Sequence, residues 1–242
     1  MNPEVIRNVV RSLYDAQKLR IEMSNRLSAQ EREDVLSEKF HERLEKRLAG
    51  MVAVEHGLLL DLGMMVKDSD IYPWLKEVKG CGPAMTGVLI SEIQDPARFP
   101  NVSKLWAYSG LHVIDGRAAR RRRGEKANWN NFLKTKLLGV LAASFLKSNS
   151  PYRKYYDNYR TRLENRPCSL PAAKHKAGAK AEDLLPNGCT NGHMHNKAMR
   201  YMVKMFLADL LVEWRQLRGL ETRCPYAEEY LGRGHHGGEE DE

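Results

Sequence analysis

Apolar residues recur at spacings of three and four along most of this chain and alternate at spacing two almost nowhere. That pattern restricts the fold to packed helices. Residues 197–218, "KAMRYMVKMFLADLLVEWRQLR", carry it furthest. Positions 199, 202, 203, 206, 207, 210, 211 and 214 give one wide apolar face, that of a helix buried against several neighbours. Only "LHVI" (111–114) hints at a strand. The expected class is all-α.

The N-terminal part reads as two long amphipathic helices. Val5, Val9, Leu13, Ala16, Met23 and Leu27 follow helical spacing, and Val35, Phe40, Leu44, Leu48 and Val52 continue it. Ser28 with Glu31 three residues later predicts a capping box opening the second helix. A narrow apolar stripe between many charges suits a coiled-coil-like arm and a homodimer; a plain helical bundle fits the same pattern. No uninterrupted run of 18 apolar residues occurs, so no membrane span is expected. The first residues lack the order of a secretory signal. The four cysteines, at 81, 168, 189 and 224, are irregularly spaced and do not suggest a disulfide framework. A cytoplasmic protein is the expectation.

The charge is concentrated. The chain has 39 Lys/Arg and 31 Asp/Glu, a net of +8. Residues 71–165 alone hold 17 and 7, while the flanks are near neutral. A positive field on one segment fits a polyanionic partner. Within that segment, "VKGCGPAMTGVLISEI" (78–93) sets Gly80 and Gly82 directly ahead of an apolar helix. Two short helices joined by G-x-G form a helix-hairpin-helix. Its glycines permit a tight turn and bring backbone N–H groups to a phosphate. The second helix adds its unsatisfied N-terminal donors. Pro83 suits the first helical turn, and Gly87 lets the two hairpin helices approach. Gly80, Gly82, Pro83 and Ala84 are thus the candidate DNA contacts of the hairpin, gripping backbone rather than reading bases. A packing-only corner is the bland alternative. A dinucleotide-binding reading fails because no strand precedes the glycines.

The segment "GCGPAMTGVLISEIQDPARFPNVSKLWAYSGL" resembles the C-terminal module of the DEDD-type insertion-sequence transposases. Those proteins resemble the pilin-gene invertases and include the bridge-RNA-guided recombinases. The resemblance rests on the hairpin, on Asp95, Pro96 and Phe99, and on Tyr108, Gly110 and Leu111. It continues through a basic loop to Gly124, Lys126, Leu133 and Lys134, covering about residues 72–150. It implies transposition or recombination on duplex DNA, with RNA or a separate nuclease subunit as further candidate partners, in a bacterial or phage nucleoid setting. Two departures stand out. The helical pattern of residues 1–70 is not the one expected of the family's β-rich RNase H-like domain. Where the family places a nucleophilic serine followed by glycine, this chain has Asp115 and Gly116, and Ser109 lies inside the Tyr-Gly pair. The catalytic residues are therefore unassigned. The expectation is a DNA-binding protein without its own complete catalytic site; the alternative is an active recombinase with a displaced nucleophile or a partner nuclease domain.

Other features are weighed against plainer readings. Arg117, Arg120, Arg121, Arg122, Arg123 and Lys126 form a loop able to neutralise several phosphates, or a solvated charge run. Tyr152, Tyr155, Tyr156 and Tyr159 interleave with basic residues, as for base stacking, but their spacing is also that of a buried stripe, which is preferred. No cofactor is expected. Cys168, His175, Cys189, His193 and His195 could supply a four-ligand zinc site, with Cys168, Cys189, His193 and His195 the set to consider first; free thiols and loop histidines are the favoured reading. The expected organisation is a helical arm (1–70), a helix-hairpin-helix domain (71–164), an irregular loop (165–196), a C-terminal helical segment (197–231) and a disordered tail (232–242).

Overall fold

The computed structural model describes residues 2–33, 37–114, 117–119, 123–168 and 184–222. The fold is all-α, apart, among the described residues, from one ribbon of two two-residue strands. The chain divides into two compact units. The first takes the described residues up to Pro73 together with Gly82–Gln94; the second takes Trp74–Cys81 and the described residues from Asp95 onward.

In the first unit, α1 (Pro3–Arg32) opens on Asn2, whose side chain accepts from the Glu4 N–H at 2.9 Å, with Pro3 in the first turn. Ser28 does not open a second helix. It lies inside α1, its carbonyl accepting from Arg32 Nε at 3.1 Å, because nothing at that position interrupts the helical ladder. The break falls later, and α2 (Glu38–Met65) starts after Ser37. The two helices run antiparallel. Gln17 and Arg20 both bind Glu55, and near the tip His41 meets Glu31 at 2.6 Å. Against them lies α4 (Pro83–Ile93), apolar nearly all round and buried from Met85 to Ile93. Its Gly87 is the point of closest approach. A Cβ there would stand 2.8 Å from Leu62 Cδ1 and 3.0 Å from Val10 Cγ2. The small residue thus admits the arm helices; it had been expected to admit the other hairpin helix. Glu92, 3% exposed, is held by Arg11 at 2.7 Å, with Arg7 Nε at 3.7 Å.

α2 with the turn after it, Glu38–Asp68, holds an 18-residue window of mean hydropathy 1.4, long and apolar enough to cross a membrane by length and composition alone. The window is not an uninterrupted apolar run, because it contains Glu55 and Asp61.

The second unit is built around α9 (Asn191–Leu217), whose Met202, Val203, Phe206, Leu207, Leu210, Leu211 and Trp214 are buried. The helix starts six residues earlier than its apolar pattern suggests. Thr190 caps it through the His193 N–H, and the polar first turns carry little hydrophobic signal. Around it pack α5 (Val102–Tyr108), α8 (Arg153–Glu164) and the helical run from α6 (Asn131–Lys136) to α7 (Ala142–Lys147). The apolar spacing of Leu133, Leu137, Leu138, Leu141 and Phe145 suits one continuous α-helix. It is interrupted at Leu137–Leu141 by a π-helical turn containing Gly139. The short α3 (Tyr72–Glu77) leads into the glycine turn. Strands β1 (Val113–Ile114) and β2 (Arg117–Ala118) pair antiparallel, Val113 opposite Ala118 and Ile114 opposite Arg117.

Candidate nucleic-acid interface

The two glycines of the G-x-G turn are not equivalent. Gly80 has φ +96°, in the left-handed region, and a Cβ there would meet Ser148 Oγ at 2.7 Å and Phe145 Cδ1 at 3.0 Å. Its carbonyl accepts from Ser144 Oγ at 2.8 Å. The fold itself therefore requires glycine at 80. Gly82 has φ −74° and ψ 175°, a conformation open to any residue, and an added Cβ would meet nothing within 4 Å. It is exposed, as is Pro83.

Gly82 is also the N-cap of α4, and it offers no side chain to cap the helix. Asn2, Asn101, Asn130 and Thr190 each cap their helices through a side-chain oxygen. Because Pro83 has no N–H, the donors at the start of α4 belong to Ala84 and Met85. Lys76 and Lys79, ahead of the turn, are exposed.

Further along, Asp95 Oδ1 accepts from the Ala97 N–H at 2.9 Å, which closes the turn into Phe99. Phe99 is buried and packs on Tyr108 at 5.3 Å, with the Arg98 guanidinium over both rings. Arg215 donates to the Pro96 and Phe99 carbonyls. The Asp-Pro-x-x-Phe stretch thus fixes this corner to α9. At the end of α5, Gly110 has φ +65°; the N–H of Leu111 bonds the Trp106 carbonyl at 2.8 Å and that of Gly110 the Ala107 carbonyl at 3.0 Å, a left-handed helix stop. A Cβ at 110 would strike Trp129 Cδ1 at 2.5 Å. Ser109 is fully buried, which leaves its hydroxyl no access to a phosphodiester.

The basic loop begins as the β1–β2 ribbon. Arg120, Arg121 and Arg122 lie outside the described residues, as does Asp115; the backbone of Arg117 pairs with Ile114. Arg123 and Lys126 are exposed. Lys134 anchors the loop's near end. Its ammonium donates to the Ala119 carbonyl at 2.8 Å and lies 4.7 Å from the Trp129 ring centroid. Burial, helped by the charge of Arg200, pulls this lysine below its ordinary pKa. Spacing alone did not single out Trp129, Ser144 and Ser148 as the supports of Gly110 and Gly80, because all three act through contacts distant in sequence.

The tyrosines of α8 are structural. Tyr152 and Tyr156 are buried, Tyr159 stacks on Tyr201 at 4.5 Å, and Tyr152 donates to Asp209 at 2.8 Å. Cys168 and Cys189 are joined as a disulfide, against the expectation of free thiols, because the turn through Asn187 and Gly188 brings Cys189 back beside Cys168. His193 lies beside that pair, whereas His195 is turned away, with Nδ1 2.6 Å from the Tyr156 hydroxyl. His175 and Cys224 lie outside the described residues.

No curated protein and no solved structure matches the chain. Residues 72–157, which run from the start of α3 into α8, match the model of the Transposase IS116/IS110/IS902 family, and that match supports a role in transposition or recombination.

Proposed function

We propose that this chain binds duplex DNA with little sequence preference, as a transposase-related protein that lacks a complete catalytic site of its own. It grips the phosphate backbone through the Gly80–Gly82 turn, Pro83 and the Ala84 donor at the start of α4, and through the basic loop of Arg117, Arg120–Arg123 and Lys126. The observation that carries the reading is Gly82. It is an exposed glycine for which the surrounding fold supplies no need, at a helix start without a side-chain cap, inside the segment that matches a transposase family. A bare backbone at such a point suits close approach by a phosphate. The burial of Ser109 argues against that serine as a displaced nucleophile.

The salt dependence of binding tests this reading. Each phosphate neutralised on B-DNA contributes about −0.9 to the slope of log affinity against log salt. Replacing Arg120–Arg123 together by alanine will flatten the slope by about 3 units if three or four of them touch phosphates. The loss will be equal on unrelated sequences, because phosphate contacts carry no base information. An unaltered slope would place the DNA elsewhere on the protein.

The arm is proposed as the dimer contact. Val52, Val54, Leu60 and Met64 expose about half or more of their surface along α2. Sedimentation of the wild-type chain will give a dimer, and the double variant Val54→Glu, Leu60→Glu a monomer; a wild-type monomer would remove the arm from the assembly.

A further inference from the structure

We propose that Cys168, Cys189 and His193, with the two sulfurs in the dithiol state, form a zinc site of two thiolates and one imidazole. One ligand atom from each residue lies within 4.8 Å of the others. Zinc bonds of about 2.3 Å to sulfur and 2.0 Å to nitrogen bring ligand atoms roughly 3–4 Å apart, so small side-chain rotations suffice.

The backbone, independently of the sulfur–sulfur bond, sets these positions. The Cys168 N–H donates to the Asn187 carbonyl at 2.8 Å, and the Cys189 N–H to Asn187 Oδ1 at 3.0 Å. The Asn187 side-chain amide donates to the Leu163 carbonyl at 2.8 Å, and the Leu185 N–H to the Cys189 carbonyl at 2.8 Å. Gly188, at φ +76°, makes the turn. With the disulfide opened, this network still holds the two thiols side by side. His193 stands four residues after Cys189, on the first turn of α9, where its N–H bonds the Thr190 carbonyl at 3.0 Å. The extended backbone at Thr190 folds the chain there so that the imidazole lies beside both sulfurs.

The ligand chemistry selects the metal. Two thiolates and an imidazole suit zinc and disfavour magnesium, calcium and manganese. Cys189 sits one residue before the N-cap of a 27-residue helix, where the helix dipole favours a thiolate. Three protein ligands leave a fourth position for water. Starting from the bonded pair, a thiol reductant supplies two electrons and two protons and yields two thiols. Zinc then takes both sulfurs as thiolates, and two protons pass to solvent. His195, committed to Tyr156, stands outside the site.

The test uses the full-length, untagged chain, reduced under anaerobic conditions and supplied with zinc, then freed of excess metal. Wild-type protein and His195→Ala will hold about one zinc per chain, and Cys168→Ser, Cys189→Ser and His193→Ala will hold almost none. Zinc will slow alkylation of Cys168 and Cys189 in the wild-type chain at least about tenfold, since the free thiolate is the nucleophile. This second readout stands even where a cysteine variant fails to fold. A reduced wild-type chain that stays metal-free overturns the proposal, as does unslowed alkylation, or a folded His193→Ala variant that keeps its zinc.

Discussion

Gly82→Val will weaken duplex binding about tenfold, or 1.4 kcal/mol, and leave the chain folded. Gly80→Val will disrupt the second unit. The two substitutions lie two positions apart and differ in backbone torsion, φ +96° at Gly80 against −74° at Gly82. At Gly82 the backbone is extended, valine adopts that conformation without strain, and its methyl groups enter open space. They then stand between a phosphate and the donors at the start of α4. At Gly80 the φ of +96° alone costs a side chain about 1–3 kcal/mol. The added Cβ also falls 2.7 Å from Ser148 Oγ and 3.0 Å from Phe145 Cδ1, the latter a buried ring that cannot move aside. Thermal unfolding monitored by circular dichroism, paired with a binding titration at fixed salt, separates the two. A folded Gly82→Val chain with wild-type affinity would remove the glycine turn from the interface.

This contrast also marks how far the sequence could be read. The glycine pair, the helix at Pro83–Ile93 and the transposase resemblance were all legible locally, since each rests on residues within a few positions of one another. The unequal jobs of Gly80 and Gly82 were not. Gly80 is explained by Ser144, Phe145 and Ser148, more than sixty residues away. Gly87 was read as serving the hairpin, yet its neighbours are Val10 and Leu62. The break between α1 and α2 was misplaced at Ser28 because a serine and a glutamate at capping distance are also tolerated within a long helix. The start of α9 was missed because its first turn is polar. The Cys168–Cys189–His193 cluster could be suspected from composition, but choosing His193 over His195 required the hydrogen bond to Tyr156.

Phe206→Ala will cost the second unit about 3–5 kcal/mol, the usual range for deleting a fully buried phenyl ring. Phe206 is inaccessible to solvent and stands at the meeting point of three other aromatic side chains. Its ring centroid is 5.2 Å from Phe145, 5.3 Å from Tyr152 and 6.0 Å from Trp74. Alanine leaves a cavity lined by rigid rings on several elements. Such a cavity collapses poorly, so the cost falls at the upper end of the range. The loss is not confined to stability. Phe145 is the ring against which Gly80 packs, and Trp74 belongs to the short helix leading into the same turn. Loosening Phe206 therefore slackens the support of the glycine turn at one remove. At temperatures where the variant is still folded, its DNA affinity will fall while its salt slope stays unchanged, because no phosphate contact has been deleted. Phe206→Leu, which restores most of the volume, will recover both stability and affinity. A Phe206→Ala chain that melts within a degree or two of wild type would show that this aromatic cluster does not hold the second unit together.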